Sequence, residues 1–228
     1  MRADLDLFKT PFFIVKKLQR NIFRETAAFF TGRVLDIGCG VQPYKKYLKN
    51  SYYIGMDEAR DLSPVPDLCA KAGMIPFRDG VFDLVLCTEV LEHTIDPMHC
   101  LSQIKNILKK GGLLYLTVPQ SWPLHYSPQD YWRFTRYGIE DIVLKTGFSI
   151  NGIRRIGGPF TLVAQEVIDI LWHIIKRSTF FLGSKNSERV ASILCAPISA
   201  ICYACGVLAG DRIDGRYAIG WAVVAVKR

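Results

Sequence analysis

Segments with the patterns of β-strands and α-helices alternate through the middle of the chain, and this alternation restricts the possible folds more than any other feature. The predicted strands, rich in β-branched or aromatic residues, are Arg33–Ile37, Tyr52–Met56, Phe82–Cys87 and Leu113–Val118. Predicted helices lie at Pro97–Lys109 and Arg136–Thr146, and Gly147 stands at the usual C-terminal glycine position. Strand–helix–strand units of this kind form right-handed crossovers, so we expect a mainly parallel sheet with helices on both faces.

Length and composition favour a single globular α/β domain. At 228 residues the chain can bury a full core but is too short for two such domains. Hydrophobic residues make up 50% of the sequence, which excludes a disordered protein. The formal net charge of +8 fits either an anionic partner or simple solubility, and charge alone does not decide between them.

The cysteines and the N-terminal segment argue against a metal site and against secretion. The seven cysteines mostly lie in apolar runs and are predicted to be reduced. Cys202 and Cys205 form a CxxC pair, but no second pair and no nearby histidine completes a zinc set, so no metal is predicted. Basic residues interrupt the apolar positions of a predicted amphipathic helix over Phe8–Phe30. No signal peptide is therefore indicated, and we expect a cytoplasmic protein.

Two long apolar stretches, Phe160–Leu182 and Val190–Gly210, precede the last predicted strand, Arg216–Val226, and a polar connector, Gly183–Arg189, separates them. The second stretch has no charged residue and approaches the length that spans a bilayer. A single crossing would leave the strands on its two sides on opposite faces of the membrane, and the charges of the first stretch disfavour a hairpin. We therefore expect the insertion to lie at a membrane surface, with burial against the domain or in a homodimer as the open alternative. The expected organisation is one domain over 1–228, with an amphipathic helix in 1–31 and this insertion in 158–214.

A glycine-rich turn directly follows the first predicted strand, in the segment VLDIGCG at Val34–Gly40. Only Gly38 and Gly40 are present, so the GxGxxG pattern that cradles a pyrophosphate is poorly matched. A cationic sulfonium amino acid has no pyrophosphate, and a short glycine turn beside the carboxylate of Asp36 suits it better. Asp57 ends the next strand segment, where an acidic side chain can accept hydrogen bonds from ribose hydroxyls.

Four segments together resemble the class I S-adenosylmethionine-dependent methyltransferases: Val34–Gly40, Ile75–Pro97, Leu108–Pro119 and Tyr131–Phe148. The resemblance covers roughly Arg33 to Ile156 and implies a Rossmann-like sheet of seven strands, mostly parallel with the last one antiparallel, a helical insertion before the last strand, and S-adenosyl-L-methionine as cofactor. The residues that the resemblance places around the cofactor are Asp36, Gly38, Cys39, Gly40, Asp57, Glu58, Ala70, Lys71, Ala72, Thr88, Glu89 and His93.

Lys71 departs from the family pattern, because an acidic residue commonly accepts from the adenine amino group at that position. A lysine has only donors, so backbone near Ala70–Ala72 and contact with Met74 or Ile75 are expected to hold the adenine instead. Structural roles remain open for two other positions. Glu89 could be a helix N-terminal charge, and His93 could either pack the turn or act as a base.

The loop after Leu113–Val118 concentrates polar and aromatic residues where the methyl acceptor is expected. His125 is the candidate catalytic base, and the candidate substrate residues are Tyr126, Asp130, Tyr131 and Arg133. Asp130 and Arg133 could instead pair structurally. The segment CTEV replaces the (D/N)PP(Y/F) element of enzymes that methylate exocyclic amines of bases, and Cys87 lies in an apolar strand rather than in a Pro-Cys pair. Methylation of DNA bases is therefore disfavoured.

The loop resembles those of methyltransferases linked to bacterial surface-glycan assembly, which implies a sugar, a glycan or another small polar acceptor. We therefore expect methyl transfer to a hydroxyl of a sugar, a glycan or a lipid-linked intermediate. The alternatives are an RNA-modifying methyltransferase, for which the basic charge is the only support, and a catalytically silent cofactor-binding module.

Overall fold

A computed structural model describes residues 12–26, 30–59, 61–208 and 216–228. The strands are β1 Gly32–Ile37, β2 Ser51–Asp57, β3 Leu68–Cys69, β4 Phe82–Thr88, β5 Leu108–Pro119, β6 Phe148–Ile156 and β7 Gly220–Lys227. The α-helices are α1 Phe13–Thr26, α2 Pro97–Ile107, α3 Arg136–Lys145, α4 Pro159–Ser178 and α5 Ser184–Leu208. Short 3-10 helices lie at Lys45–Tyr47, Leu91–His93 and Phe180–Leu182.

The strands form one seven-stranded sheet in the order β3-β2-β1-β4-β5-β7-β6. β1 runs parallel to β2 and β4, β2 to β3, and β4 to β5, whereas β7 is antiparallel to β5. The central strands are almost continuous apolar runs because helices cover both faces of a parallel sheet. The expected fold, a mostly parallel methyltransferase-type sheet, is confirmed.

The register brings the ends of four strands to one edge of the sheet. Ile37 of β1 pairs with Met56 of β2 and with Cys87 of β4, while Thr88 pairs with Thr117 of β5. The segments that follow these strands therefore open at a common carboxyl edge, where ligands of such sheets bind.

The chain divides into two compact units. The sheet unit contains residues 22–154 and 220–228, and the helical unit contains residues 1–21 and 155–219. In the sheet unit, Phe23 packs edge-on against Tyr115, with ring centroids 5.0 Å apart. In the helical unit, α4 and α5 pack together around Ile168, Trp172 and Cys195. Each unit thus has its own buried apolar core.

Several element boundaries differ from the sequence prediction. Helix α2 ends at Ile107 rather than Lys109, because buried Leu108 already pairs with Phe82 and begins β5 five residues early. The predicted connector Gly183–Arg189 is mostly helical, because α5 already starts at Ser184. Gly183, with a φ of 86°, is the single residue that turns the chain before this helix. The last strand begins at Gly220 rather than Arg216.

Parts of several predicted segments lie outside the described residues. These parts are 1–11 and 27–29 of the N-terminal segment and 209–214 of the insertion.

Helix α4 carries an apolar stripe that stays exposed. Val163, Val167, Ile170 and Ile174 recur at helical spacing, and each is between 47% and 63% exposed. Among the described residues, one helical segment, Ser184–Gly206, has the length and composition of a membrane span, and 22% of its most apolar window is buried. Length and composition alone are weak evidence for a span.

Candidate active site

The turn after β1 forms the floor of the candidate cofactor site. Gly38 and Gly40 have φ angles of 64° and 50°, which favour glycine. A Cβ on Gly38 would lie 2.4 Å from Val90 Cγ2, whereas one on Gly40 would meet nothing within 4 Å. The N–H of Cys39 donates to the Met56 carbonyl (3.1 Å) and ties the turn to β2. The glycines thus provide a tight turn whose second half faces open space.

Asp36 is a fully buried carboxyl group at the end of β1. The Tyr53 hydroxyl donates to Oδ2 (2.6 Å), but Oδ1 has no hydrogen-bond partner among the described residues. Burial raises the pKa of Asp36 to about 7, and the negative charge of Asp57 adds to this rise. A cationic amino group placed beside Oδ1 would supply the missing partner, so the site fits the methionine end of the expected cofactor.

Asp57 joins the two loops that follow β1 and β2. Its Oδ2 accepts from the Gly40 N–H (2.9 Å), and its Oδ1 accepts from the Ala59 N–H (3.0 Å). Each carboxylate oxygen keeps a further lone pair, which a ribose hydroxyl could use. Glu58 is exposed, and its backbone carbonyl accepts from the Cys69 thiol.

The segment Ala70–Ala72 lies beside the end of β2, because the Ala70 N–H donates to the Asp57 carbonyl (3.1 Å). The Lys71 side chain is exposed, and the Lys71 carbonyl accepts from the Met74 N–H (2.9 Å). Met74 is exposed, whereas Ile75 is buried. This short segment therefore offers backbone and apolar surface near the ribose position, but no acidic side chain.

Two glutamates follow β4, the half-buried Glu89 and the fully buried Glu92. The N–H of Glu89 donates to the Thr117 carbonyl (3.1 Å), and its φ of 54° turns the chain out of the strand. Burial raises the pKa of Glu89 to about 6, opposed by the Thr117 hydroxyl and the Arg133 guanidinium. Glu92 is completely buried in the next turn, and neither of its carboxylate oxygens has a partner among the described residues. Thr88, the last residue of β4, lies directly before this pair.

The loop that follows β5, residues 120–135, is the predicted acceptor loop, and it is built around Arg133. Its guanidinium forms a bidentate pair with Asp130, both contacts being 2.7 Å, and Asp130 Oδ2 also accepts from the His125 N–H (2.9 Å). The hydrogen bonds to Arg133 hold the pKa of Asp130 well below its usual range. All five guanidinium N–H donors are used, because three backbone carbonyls accept the remaining hydrogen bonds. These carbonyls belong to Trp122, Pro123 and Trp132.

Backbone contacts pin this loop to the turn that follows β4. The Tyr131 N–H donates to the Glu92 carbonyl (2.8 Å), and the Trp132 indole donates to the Thr94 carbonyl (2.9 Å). Tyr126 and Tyr131 remain exposed at the surface of the loop. The acceptor loop and the residues after β4 are therefore one structural neighbourhood.

Two histidines meet in this neighbourhood. The rings of His93 and His125 pack edge-on with centroids 4.8 Å apart, and Tyr126 lies beside His93 at 5.4 Å. His93 Nδ1 donates to the Gln129 carbonyl (2.5 Å), and His125 Nδ1 lies 3.2 Å from the Pro123 carbonyl. Burial lowers the pKa of His125, which favours the neutral imidazole near pH 7. A neutral imidazole can accept a proton.

Comparison with known proteins identifies the family. A family model described as a methyltransferase domain matches residues 14–149, more than half of the chain. The chain belongs to this methyltransferase domain family. Membership supports S-adenosyl-L-methionine as the cofactor of this methyltransferase, in agreement with the sequence analysis.

Curated relatives of the methyltransferase match over part of their length. A ubiquinone biosynthesis O-methyltransferase of Dinoroseobacter shibae is 36% identical over 36% of this chain and 39% of the relative. One with the same name in Cereibacter sphaeroides is 30% identical over 58% of this chain and 65% of the relative. An uncharacterized protein of Methanocaldococcus jannaschii is 37% identical over 37% of this chain and 40% of the relative. The matches thus cover less than two thirds of these relatives.

Solved structures share the fold of the methyltransferase. A possible histamine N-methyltransferase from Thermotoga maritima superposes with a TM-score of 0.58 at 14% identity, over 95% of this chain and 93% of that chain. Phosphoethanolamine N-methyltransferase 2 of Haemonchus contortus, in complex with S-adenosyl-L-methionine, gives a TM-score of 0.55 at 20% identity, over 86% and 49% of the two chains. At this level of identity the likeness shows the fold alone.

Three residues that shape the candidate site were not predicted from the sequence. Tyr53 donates to Asp36 from the neighbouring strand, Gln129 orients His93, and Glu92 is buried without a partner. For Glu92 a signal existed, because it stands beside His93 in the segment LEH. Nothing in the sequence marked Tyr53 or Gln129, since both act through contacts that only the folded chain creates.

Proposed function

We propose that this protein transfers a methyl group from S-adenosyl-L-methionine to a hydroxyl of a sugar, a glycan or a lipid-linked intermediate. One observation carries the proposal: the backbone contacts of Tyr131 and Trp132 hold His125 beside the segment that follows β4. A candidate base thereby stands at the edge of the sheet that also holds Asp36 and Asp57.

Different residues of the sheet unit would bind different parts of the cofactor. Asp36 would pair with the amino group of its methionine part, and the backbone of Gly38, Cys39 and Gly40 would line its carboxylate side. Asp57 and Glu58 would accept from the ribose. The backbone of Ala70–Ala72, which includes Lys71, would contact the adenine, and Thr88, Glu89 and His93 would line the methyl-donor pocket. S-adenosyl-L-methionine itself supplies an electrophilic methyl group on a sulfonium.

The protein contributes alignment and proton removal. With the cofactor bound, its sulfonium would release the methyl group to the hydroxyl oxygen and leave S-adenosylhomocysteine, and His125 would accept the hydroxyl proton through Nε2. Asp130 and Arg133 hold the loop that carries His125, so they act as positioning residues. Tyr126 and Tyr131 are exposed beside the acceptor position and would contact the acceptor. The O-methyltransferase names of the curated relatives favour oxygen as the atom methylated.

The test is methyl transfer from labelled S-adenosyl-L-methionine to three separate fractions: polar lipids, soluble saccharides and total RNA. Label in the lipid or saccharide fraction is expected, lost in His125→Ala and kept in the matched control His99→Ala, whose histidine is exposed and contacts the Gly73 carbonyl. Label in RNA alone would favour the RNA-modifying alternative. No transfer together with tight S-adenosylhomocysteine binding would indicate a silent module.

We also propose that the helical unit docks on the inner face of an anionic membrane. The exposed stripe of Val163, Val167, Ile170 and Ile174 supplies apolar surface, and basic residues of α1 and α4, such as Lys17 and Arg177, supply opposite charge. Burial of the same stripe in a homodimer is the competing outcome.

Co-sedimentation with vesicles decides between membrane and dimer. Binding is expected to phosphatidylglycerol vesicles and to be weaker with phosphatidylcholine alone. The double variant Val163→Asn, Ile170→Asn should lose binding, whereas Val65→Asn, an exposed apolar residue of the sheet unit, should not. Membrane docking would be refuted if the protein is dimeric in solution and binds neither kind of vesicle.

A further inference from the structure

We propose that Glu92, His93 and His125 form a binding site for one divalent first-row transition-metal ion. One potential ligand atom from each residue lies within 4.8 Å of those of the other two. Glu92 Oε1 and His93 Nε2 are already 3.8 Å apart. With metal–ligand bonds of about 2.1 Å, two ligand atoms of a tetrahedral site lie about 3.4 Å apart. Side-chain movements of about 1 Å would therefore bring the three ligand atoms to the distances that a bound metal requires.

Hydrogen bonding fixes which imidazole nitrogens are available. A backbone carbonyl only accepts, so His93 Nδ1 donates to the Gln129 carbonyl at 2.5 Å, and Nε2 is the ring nitrogen left to bind a metal. His125 Nδ1 likewise faces the Pro123 carbonyl at 3.2 Å. Metal-binding histidines usually donate their second N–H to a carbonyl or a carboxylate in this way.

Glu92 provides the second, independent observation. It is completely buried, both of its carboxylate oxygens lack a hydrogen-bond partner among the described residues, and Oε1 lies 3.8 Å from His93 Nε2. A buried carboxyl group whose two oxygens have no partner is unfavourable, and a cation bound beside it removes that cost. The nearby guanidinium of Arg133 does not fill this role, because its N–H donors are used by Asp130 and by backbone carbonyls.

The donor set indicates the class of metal. Two imidazoles and one carboxylate suit Zn²⁺, Fe²⁺, Mn²⁺ or Co²⁺, whereas Mg²⁺ and Ca²⁺ prefer oxygen donors alone. Three protein ligands leave at least one open coordination position, as in catalytic metal sites.

The metal deepens the proposed function, and its catalytic part rests on that function. A hydroxyl acceptor in the open position would release its proton to water more readily before the O–C bond forms and the C–S bond breaks. His125 would then hold the metal rather than take the proton. Metal binding itself can be measured without any acceptor.

The experiment is a calorimetric titration of tag-free, chelator-treated protein with Co²⁺, Zn²⁺ and Mg²⁺, accompanied by the visible absorption of the Co²⁺ form. One Co²⁺ or Zn²⁺ per chain and much weaker Mg²⁺ binding are expected. Glu92→Gln, His93→Ala and His125→Ala should each weaken Co²⁺ binding at least about tenfold. His99→Ala and His173→Ala are matched controls that should bind as the wild type does, since neither histidine belongs to the cluster.

Several outcomes would overturn the metal site: no stoichiometric binding, equal binding by Glu92→Gln, or equal preference for Mg²⁺. A protonated Glu92 carboxyl is the rival account of the Glu92–His93 contact, because burial raises the pKa of Glu92 well above its usual value, and it predicts the first of these outcomes. Circular dichroism checks that each variant folds. S-adenosylhomocysteine titrated into the same samples separates the two proposals. Retained cofactor binding without metal binding leaves the methyltransferase proposal standing, whereas loss of cofactor binding in the wild type removes the proposed function itself.

Discussion

Asp36→Asn should stabilise the unliganded protein at pH 8 while weakening its binding of the cofactor product. The pKa of Asp36 rises from 3.8 to about 7 in the folded chain, chiefly because the group is fully buried. Between these values the folded protein keeps a proton that the unfolded chain has released, so the free energy of unfolding falls as the pH rises. The raised pKa of Asp36 thus lowers the free energy of unfolding by roughly 4 kcal/mol at pH 8 and by about 1 kcal/mol at pH 4.5.

Asparagine removes this cost because it is uncharged and can still accept from the Tyr53 hydroxyl through its side-chain oxygen. Urea unfolding of Asp36→Asn and of the wild type at the two pH values measures the change in the free energy of unfolding. At pH 8 the melting temperature of the variant should rise on the order of 10 °C, since 1 kcal/mol corresponds to about 2–4 °C at this chain length. Calorimetry with S-adenosylhomocysteine at pH 8 should show a dissociation constant raised about tenfold or more, through loss of a charge-assisted hydrogen bond.

Asp141→Asn is the matched control. Asp141 is an exposed carboxylate on α3 that pairs with Lys145, so its loss should change stability by no more than about 0.5 kcal/mol at either pH. The reasoning fails if Asp36→Asn is less stable than the wild type at pH 8, or if its gain is as large at pH 4.5. Unchanged affinity for S-adenosylhomocysteine would show that Asp36 does not face the amino group.

The remaining predictions concern three other positions. Asp57→Ala should weaken S-adenosylhomocysteine binding by about 1.5–3 kcal/mol, measured by calorimetry, and an unaltered dissociation constant would contradict the ribose assignment. His125→Ala should keep cofactor affinity but lower turnover by about 10²–10⁴-fold, and full activity would exclude it from the chemistry. Gly38→Ala should weaken cofactor binding and lower the melting temperature, because its Cβ meets Val90 at 2.4 Å on a backbone with a φ of 64°. Gly152→Ala, where a Cβ meets nothing within 4 Å, is its control.

The proximity of Asp36 and Asp57 was predictable because the information for it is local. Asp36 and Asp57 each stand at or next to the end of a strand that its own residues specify, and parallel pairing of β1 and β2 brings them together without further detail. The fold class followed from the same strand and helix patterns. The early start of β5 was not predictable, because Leu108 pairs with Phe82 only after the intervening helix has packed. The helical start at Ser184 was missed because polar residues were interpreted as a loop.

The acceptor half depends on contacts between distant segments, and the sequence alone could not show how they meet. Glu92 and His125 approach each other because the Tyr131 N–H reaches the Glu92 carbonyl and because Arg133 folds the loop back on itself. In the sequence, the CxxC pair is the pattern that suggests metal ligands, since short spacing between ligands is the usual signal of a metal site. The cluster of Glu92, His93 and His125 instead takes two neighbours from one loop and a third ligand from another. A substitution that removes the Arg133–Asp130 pair should therefore separate His125 from Glu92 and His93. Accordingly, Asp130→Asn should weaken Co²⁺ binding while leaving the affinity for S-adenosylhomocysteine unchanged.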